Sequence, residues 1–196
     1  MAEGTSGGVM APGATKLTYE DLLLLPEDGM RHELLAGEHV VTPAPNPRHQ
    51  TVLKNLDRIV DRFVRERGLG KVFFAPVDIL LSSEDVVEPD LLYVSAGRLG
   101  IITERNLRGA PDLLVEVLSP TTRRRDEVTK RDRYERNGIP EYWIVDPEVE
   151  TVKVYRRPAE GEPYGRPLLL AARDDDRLET PLLPGLRIQV AAIFEE

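Results

Sequence analysis

Apolar residues recur three and four positions apart from Val52 to Val64 (Val52, Leu53, Leu56, Ile59, Val60, Phe63, Val64), the period of a helix that buries one face, and Gly68 supplies its stop. Ahead of this helix, Thr18 caps a short one through "YEDLLLL" that Pro26 ends, and "MRHELLAGEHVVT" alternates as a hairpin turning at Ala36-Gly37. Two strand-like runs follow, "KVFFAPVDILLS" and "VVEPDLLYVS", parted by the polar "SED". From Asp112 to Leu118 apolar side chains occupy both parities apart from the acids, the pattern of a central strand covered on two faces. Residues 122 to 137 read as a helix ending at Asn137-Gly138, and "EYWIVD" and "TVKVYRR" as a strand pair about the "PEVE" turn. "PLLLAA", "LETPLL" and "LRIQVAAIF" complete the chain as edge strands and a closing turn. This order predicts an α/β fold, a central mixed sheet flanked by helices, with an N-terminal helix and hairpin. No repeat or linker divides residues 16–196, which are expected to form a single domain behind a flexible tail over residues 1–15.

One position in the central strand conflicts with its surroundings. Glu116 sits among aliphatic side chains in "APDLLVEVLSP", and burying an uncompensated carboxylate costs several kcal/mol, so it must be protonated, paired or bound to a cation. Asp112 lies on the same strand face but roughly 13 Å away at about 3.3 Å per residue, too far to share an ion, and suits a strand-start contact. Asp90 in "VVEPDLLYVS" is a second lone acid entering an apolar strand, with enough chain between to return beside Glu116. On adjacent strands the two carboxylates come within about 5 Å, where they repel when empty and suit Mg²⁺ with backbone carbonyls and waters. A plain ion pair with an arginine is the competing reading for Glu116.

Other candidates lie nearby. Asp126, Lys130 and Tyr134 stand at i, i+4 and i+8 on one helix face, although Glu127–Arg131 and Asp132–Arg136 spacing equally suits a solvated salt-bridge stripe. Glu33 falls opposite Val40 in the hairpin and on the Leu35 face, either partly buried or paired with a nearby Arg or His. His32 and His39 share the other face diagonally, but no third ligand at zinc-like spacing suggests itself, and they read as surface residues. "RDDDR" at residues 173 to 177 reads as a polar turn.

A net charge of −8 argues against a protein that coats nucleic acid generally, although the segment from Arg123 to Arg136 carries seven basic residues against four acids and could meet phosphates locally. The chain has no cysteine, which excludes disulfides, thiolate metal sites and cysteine nucleophiles. No apolar run reaches the ~18 residues of a membrane span and no secretory leader is evident, so a cytoplasmic location without membrane contact is expected. Walker-type loops, strand-linked GxGxxG, HExxH and GxSxG are all missing.

"VVEPDLLYVS" followed by "APDLLVEVLSPTTRRRDEVTKRDRYERNGIPEYWIVDP", together with "RHELLAGEHVV" and the closing "LLPGLRI", resembles the Uma-two family, a bacterial group classed with endonucleases of the restriction-endonuclease-like PD-(D/E)XK fold. The likeness runs from about Thr18 to the C-terminus. It implies a metal-dependent nuclease in which Asp90 and Glu116 hold Mg²⁺ or Mn²⁺, with the Val117 carbonyl completing the shell and Glu33 as a further acid beside the ion. The lysine that follows the second acid by two positions in that superfamily is replaced here by Leu118. Resemblance hands its role, stabilising charge on the attacked phosphate, to the helical Lys130, with Tyr134 and Asp126 in support. It also implies nucleic acid, DNA foremost, as substrate, and a homodimer because two strands must be cut. Two other readings compete: a nuclease-like fold serving as a DNA-binding or protein-interaction module, and a carboxylate-pair hydrolase acting on sugars, for which a single tryptophan leaves little stacking surface.

Overall fold

The computed structural model describes residues 16–26 and 28–196; the tail expected over residues 1–15 lies outside them. In chain order the elements are α1 (Tyr19–Leu22), β1 (Arg31–Leu35), β2 (Glu38–Thr42), α2 (Pro47–Arg67), β3 (Gly70–Phe74), β4 (Ile79–Leu80), β5 (Val86–Val87), β6 (Leu91–Ser95), β7 (Leu107–Arg108) and β8 (Leu113–Val117). A helix follows that winds widely, as a π-helix, over Arg125–Lys130 and continues as α3 (Arg131–Arg136). β9 (Glu141–Asp146), β10 (Thr151–Arg156), β11 (Leu168–Ala171), β12 (Arg177–Leu178), β13 (Ile188–Gln189) and α4 (Val190–Phe194) complete the chain.

A six-stranded sheet in the order β11-β10-β9-β8-β6-β3 forms the centre, with β8 and β9 parallel and its other pairs antiparallel. β8 is interior, as its two-faced apolar pattern predicts. Leu113, Val115 and Val117 pack with Trp143 and Val145 beneath α2 and α4. On the other face Leu114 joins Leu92, Tyr142 and Ile144 beneath Tyr134 of α3.

This six-stranded sheet is the central mixed sheet expected, and a second sheet stands beside it. Each of the two runs between Lys71 and Ser95 breaks at a proline, Pro76 or Pro89, which cannot donate to a ladder. The outer pieces, β3 and β6, join the six-stranded sheet, while β4 and β5 join a second sheet ordered β2-β1-β5-β4-β7. This second sheet brings Leu35, Ile79, Val87 and Leu107 against the same apolar layer as Tyr134. A further small pair is β12 with β13, and the segment expected to close the chain as a turn ends instead in α4.

The hairpin turns at Ala36-Gly37 with φ of 56° and 79°, the two left-handed residues of a type I′ turn. Alanine in that region is held from outside, because Ala36 N–H donates to Asp85 Oδ1 at 2.9 Å. Asp85, 1% exposed, also accepts from Arg133 Nε at 2.8 Å and from Asn137 Nδ2 at 3.1 Å, so this residue of the "SED" turn ties the hairpin to α3. Burial works against its ionised form, but the Arg133 and backbone donors outweigh burial and hold the pKa below the ordinary 3.8. Asp85→Ala is expected to lower the unfolding free energy by roughly 3 kcal/mol in urea at neutral pH, since it strands Arg133. A lowered folded-state pKa makes that deficit full above about pH 4 and progressively smaller as the pH falls further. Equal stability of variant and wild type at neutral pH would rule the clamp out.

Candidate functional site

β6 and β8 run antiparallel with Leu91 opposite Val115 and Leu92 opposite Leu114, and carrying this register one step places Asp90 opposite Glu116. Facing residues of an antiparallel pair share a face, so both carboxylates lie on the side of Leu92 and Leu114, toward the wide helix. They open on one cavity of about 250 Å³, walled by the Pro43–Pro45 loop, the first turn of α2, and Ser119 to Thr122. Asp90 and Glu116 are 2% and 3% exposed.

Three donors hold Asp90. Arg31 Nη1 reaches Oδ1 at 2.9 Å, while His49 Nε2 and the Val117 N–H reach Oδ2 at 3.1 and 2.8 Å. Burial disfavours this carboxylate, but His49, Arg31 and the Val117 amide outweigh it and keep its pKa below the ordinary aspartate value. His49 is placed by the cap of α2, where Asn46 Oδ1 accepts its N–H at 2.9 Å, and Pro47 opens the helix. Its Nδ1 is buried without a partner among the described residues.

Glu116 meets the opposite wall. Lys130 Nζ lies 2.8 Å and the Tyr134 hydroxyl 2.7 Å from its Oε1, and no hydrogen bond from the described residues reaches Oε2. The ammonium also pairs with Glu33 Oε1 at 2.7 Å and stands 4.0 Å from Asp126 Oδ1. Burial raises the Glu116 pKa most, and the Asp126, Asp90 and Glu33 charges add to it against the pull of Lys130, pushing it up to about 8. Burial opposes the ammonium too, but the Glu116, Glu33 and Asp126 carboxylates more than offset it, and the Lys130 pKa is raised. Tyr134, buried and beside Glu116, is raised as well and stays a donor.

The structure thus brings together Asp90, Glu116, Glu33, Lys130, Asp126 and Tyr134, with the Val117 N–H, not its carbonyl, in contact with Asp90. A solvated helix stripe is ruled out, because Asp126, Lys130 and Tyr134 are buried. Glu127 pairs with Lys153 and Arg131 with Asp132, in place of the i, i+4 pairs expected. Much of the basic segment is consumed internally as well, Arg123 on Asp146 and Arg133 on Asp85. Asp112 makes the strand-start contacts expected of it, to Ser95 N–H and Arg98. His32 and His39 stack at 5.1 Å and bond to one another, with Asp28 on the far nitrogen of His32.

Sequence reasoning missed Arg31, His49 and Glu88. The backbone N–H of Glu88 binds Glu33 Oε1 at 2.9 Å, and burial together with the Asp78 and Glu33 charges lifts the Glu88 side chain to about 7. Its place directly before Pro89-Asp90 was the available signal.

Asp90 and Glu116 are the oxygen donors that a hard divalent ion would use here, Asp90 already accepting from three donors. Four carboxylates, Asp90, Glu116, Glu33 and Asp126, face two cations, Lys130 and Arg31, and Glu116 Oε2 is left over. No group of three or more His, Asp or Glu side chains is set to hold a metal among the described residues. Two carboxylates with waters and backbone oxygen are what Mg²⁺ ordinarily takes.

Comparison with curated proteins returns no match. Among solved structures, a protein from Anabaena variabilis ATCC 29413, described as a "putative nuclease belonging to DUF820", superposes with a TM-score of 0.76 at 20% identity. That alignment covers 91% of this chain and 97% of the other, and shows a shared fold of mixed sheets flanked by helices. No described helix is long and apolar enough to cross a membrane. The Uma2 model, described as "Putative restriction endonuclease", matches residues 19–191, and the chain belongs to this family, the Uma-two group that its motifs resemble.

Proposed function

We propose that the chain is a metal-dependent nuclease that hydrolyses phosphodiester bonds in nucleic acid, DNA foremost, with Mg²⁺ or Mn²⁺ held by Asp90, Glu116 and the Val117 carbonyl. The observation that carries this reading is the sharing of one face and one cavity by Asp90 and Glu116, with the Lys130 ammonium alongside. When bound, the ion supplies a Lewis acid for the phosphate and lowers the pKa of a water. The chain's own part is positional and electrostatic. Arg31 and His49 fix the Asp90 carboxylate, Tyr134 and Lys130 orient Glu116, and Glu33 holds the ammonium where negative charge develops on the attacked phosphate. A homodimer belongs to this reading, two copies of the site being related by a two-fold axis.

A binding module with vestigial acids is favoured by one observation: Asp90 already has three donors and Glu116 already has Lys130. Metal binding separates the two. Titrated with Mn²⁺ or Mg²⁺ to a hundredfold excess over Kd, the wild type is expected to gain about 2.7 kcal/mol of stability in thermal unfolding, and Asp90→Ala to gain nothing. A wild type indifferent to both ions would establish the module. In cleavage assays on DNA and RNA, Lys130→Met, checked for folding by circular dichroism, should lose roughly a hundred- to a thousandfold in rate, and Tyr134→Phe clearly less. Undiminished cleavage by Lys130→Met would remove this lysine from the chemistry.

A further inference from the structure

A second cavity of about 390 Å³ adjoins the one at the carboxylates, sharing Arg31, Thr42, Pro45 and Asp90 in its lining. Side by side the two cavities extend from Glu116 past Arg31 to the end of β3. At that far end the wall turns apolar. Phe74 is 59% exposed and Met30 48%, and both line the second cavity. Phe74 is the last residue of β3, opposite Leu91, and the next residue, Ala75, donates its N–H to the Asp90 carbonyl at 3.1 Å. Phe74 thus lies with Leu91 on the α2 face, opposite the one that carries the acids, and the second cavity, lined by Phe74 as well as by Arg31 and Asp90, spans the two faces at the strand ends. The neighbouring Phe73 packs into the core on the other face, so β3 is anchored without Phe74.

Between ring and acids stands Arg31. Its contacts to Asp90 Oδ1 and to the Glu88 carbonyl both use Nη1, and Nη2 and Nε donate to none of the described residues. A guanidinium edge matches a phosphate, an open aromatic face matches a base, and Gln50 and Glu88 on the same wall can hydrogen-bond a base edge. An anionic group joined to a flat π-system describes a nucleotide better than it does a peptide or a lipid. A base inside a duplex has both faces stacked already, so the one that lies on Phe74 is unpaired or splayed out.

We propose that this groove seats the nucleotide flanking the scissile phosphate, its own phosphate on Arg31 and its unpaired base against Phe74. The proposal rests on the nuclease reading above and names the substrate form it takes. It is tested on the full chain with a short single strand carrying 2-aminopurine and with the corresponding duplex, in Ca²⁺, which uses the same oxygen ligands as the catalytic ions. The wild type is expected to bind the single strand more tightly than the duplex and to quench the probe. Phe74→Ala should weaken single-strand binding roughly five- to a hundredfold, and Phe74→Trp should retain it. Equal affinity of Phe74→Ala and wild type, preference for the duplex, or no binding by the wild type overturns the groove. Cleavage in Mn²⁺ is read in parallel. Binding that depends on Phe74 without any cleavage supports the groove and overturns the nuclease reading, whereas cleavage with affinity indifferent to Phe74 overturns the groove alone.

Discussion

The Lys130 ammonium is 3% exposed and would be untenable there by itself, because removing such a charge from water costs several kcal/mol. Three carboxylates make the position stable, and they come from three different parts of the molecule: Glu33 from β1, Glu116 from β8 and Asp126 from the helix that carries the lysine. One buried cation consequently joins the two sheets and the helix between them. Each acid is held in the interior by the lysine against the repulsion of the other two, so the cluster behaves as a unit.

That dependence accounts for the division of labour around Asp90 and Glu116. Asp90 is held from the α2 side and the hairpin by His49 and Arg31, and its ionised form is favoured. Glu116 is held from the helix, with both contacts on a single oxygen, and the surrounding negative charge makes its ionised form harder to keep. Two acids on facing strands thus differ in electrostatic character, as neighbouring carboxylates do when their surroundings differ.

Much of this is legible in the chain. A lone acid in an apolar strand demands compensation, which singles out Asp90 and Glu116, and the spacing of Asp126, Lys130 and Tyr134 brings them to one face. Periodicity does not tell a polar face turned toward water from one turned toward buried carboxylates, and only packing decides against the solvated stripe. Arg31 and His49 act on a residue 59 and 41 positions away. Locally they belong to a hairpin and a helix start, and nothing in their immediate surroundings encodes the contact. The split into two sheets is hidden for a related reason: apolar alternation marks a strand without saying which sheet it joins, although Pro76 and Pro89 marked where the runs break.

The wide winding over Arg125–Lys130 has a consequence for how the lysine is kept. Each residue of an ordinary α-helix turns about 100° around the axis, and a wide turn accommodates more residues per revolution. If this stretch tightened to α geometry, the side chain of Lys130 would swing to another bearing, away from Glu116, with every amino acid unchanged. Spacing between Thr122 and Lys130 therefore fixes the contact to Glu116 as much as the identity of the lysine does. Loss of a single position there would turn Lys130 away from Glu116, while leaving every signature residue in place.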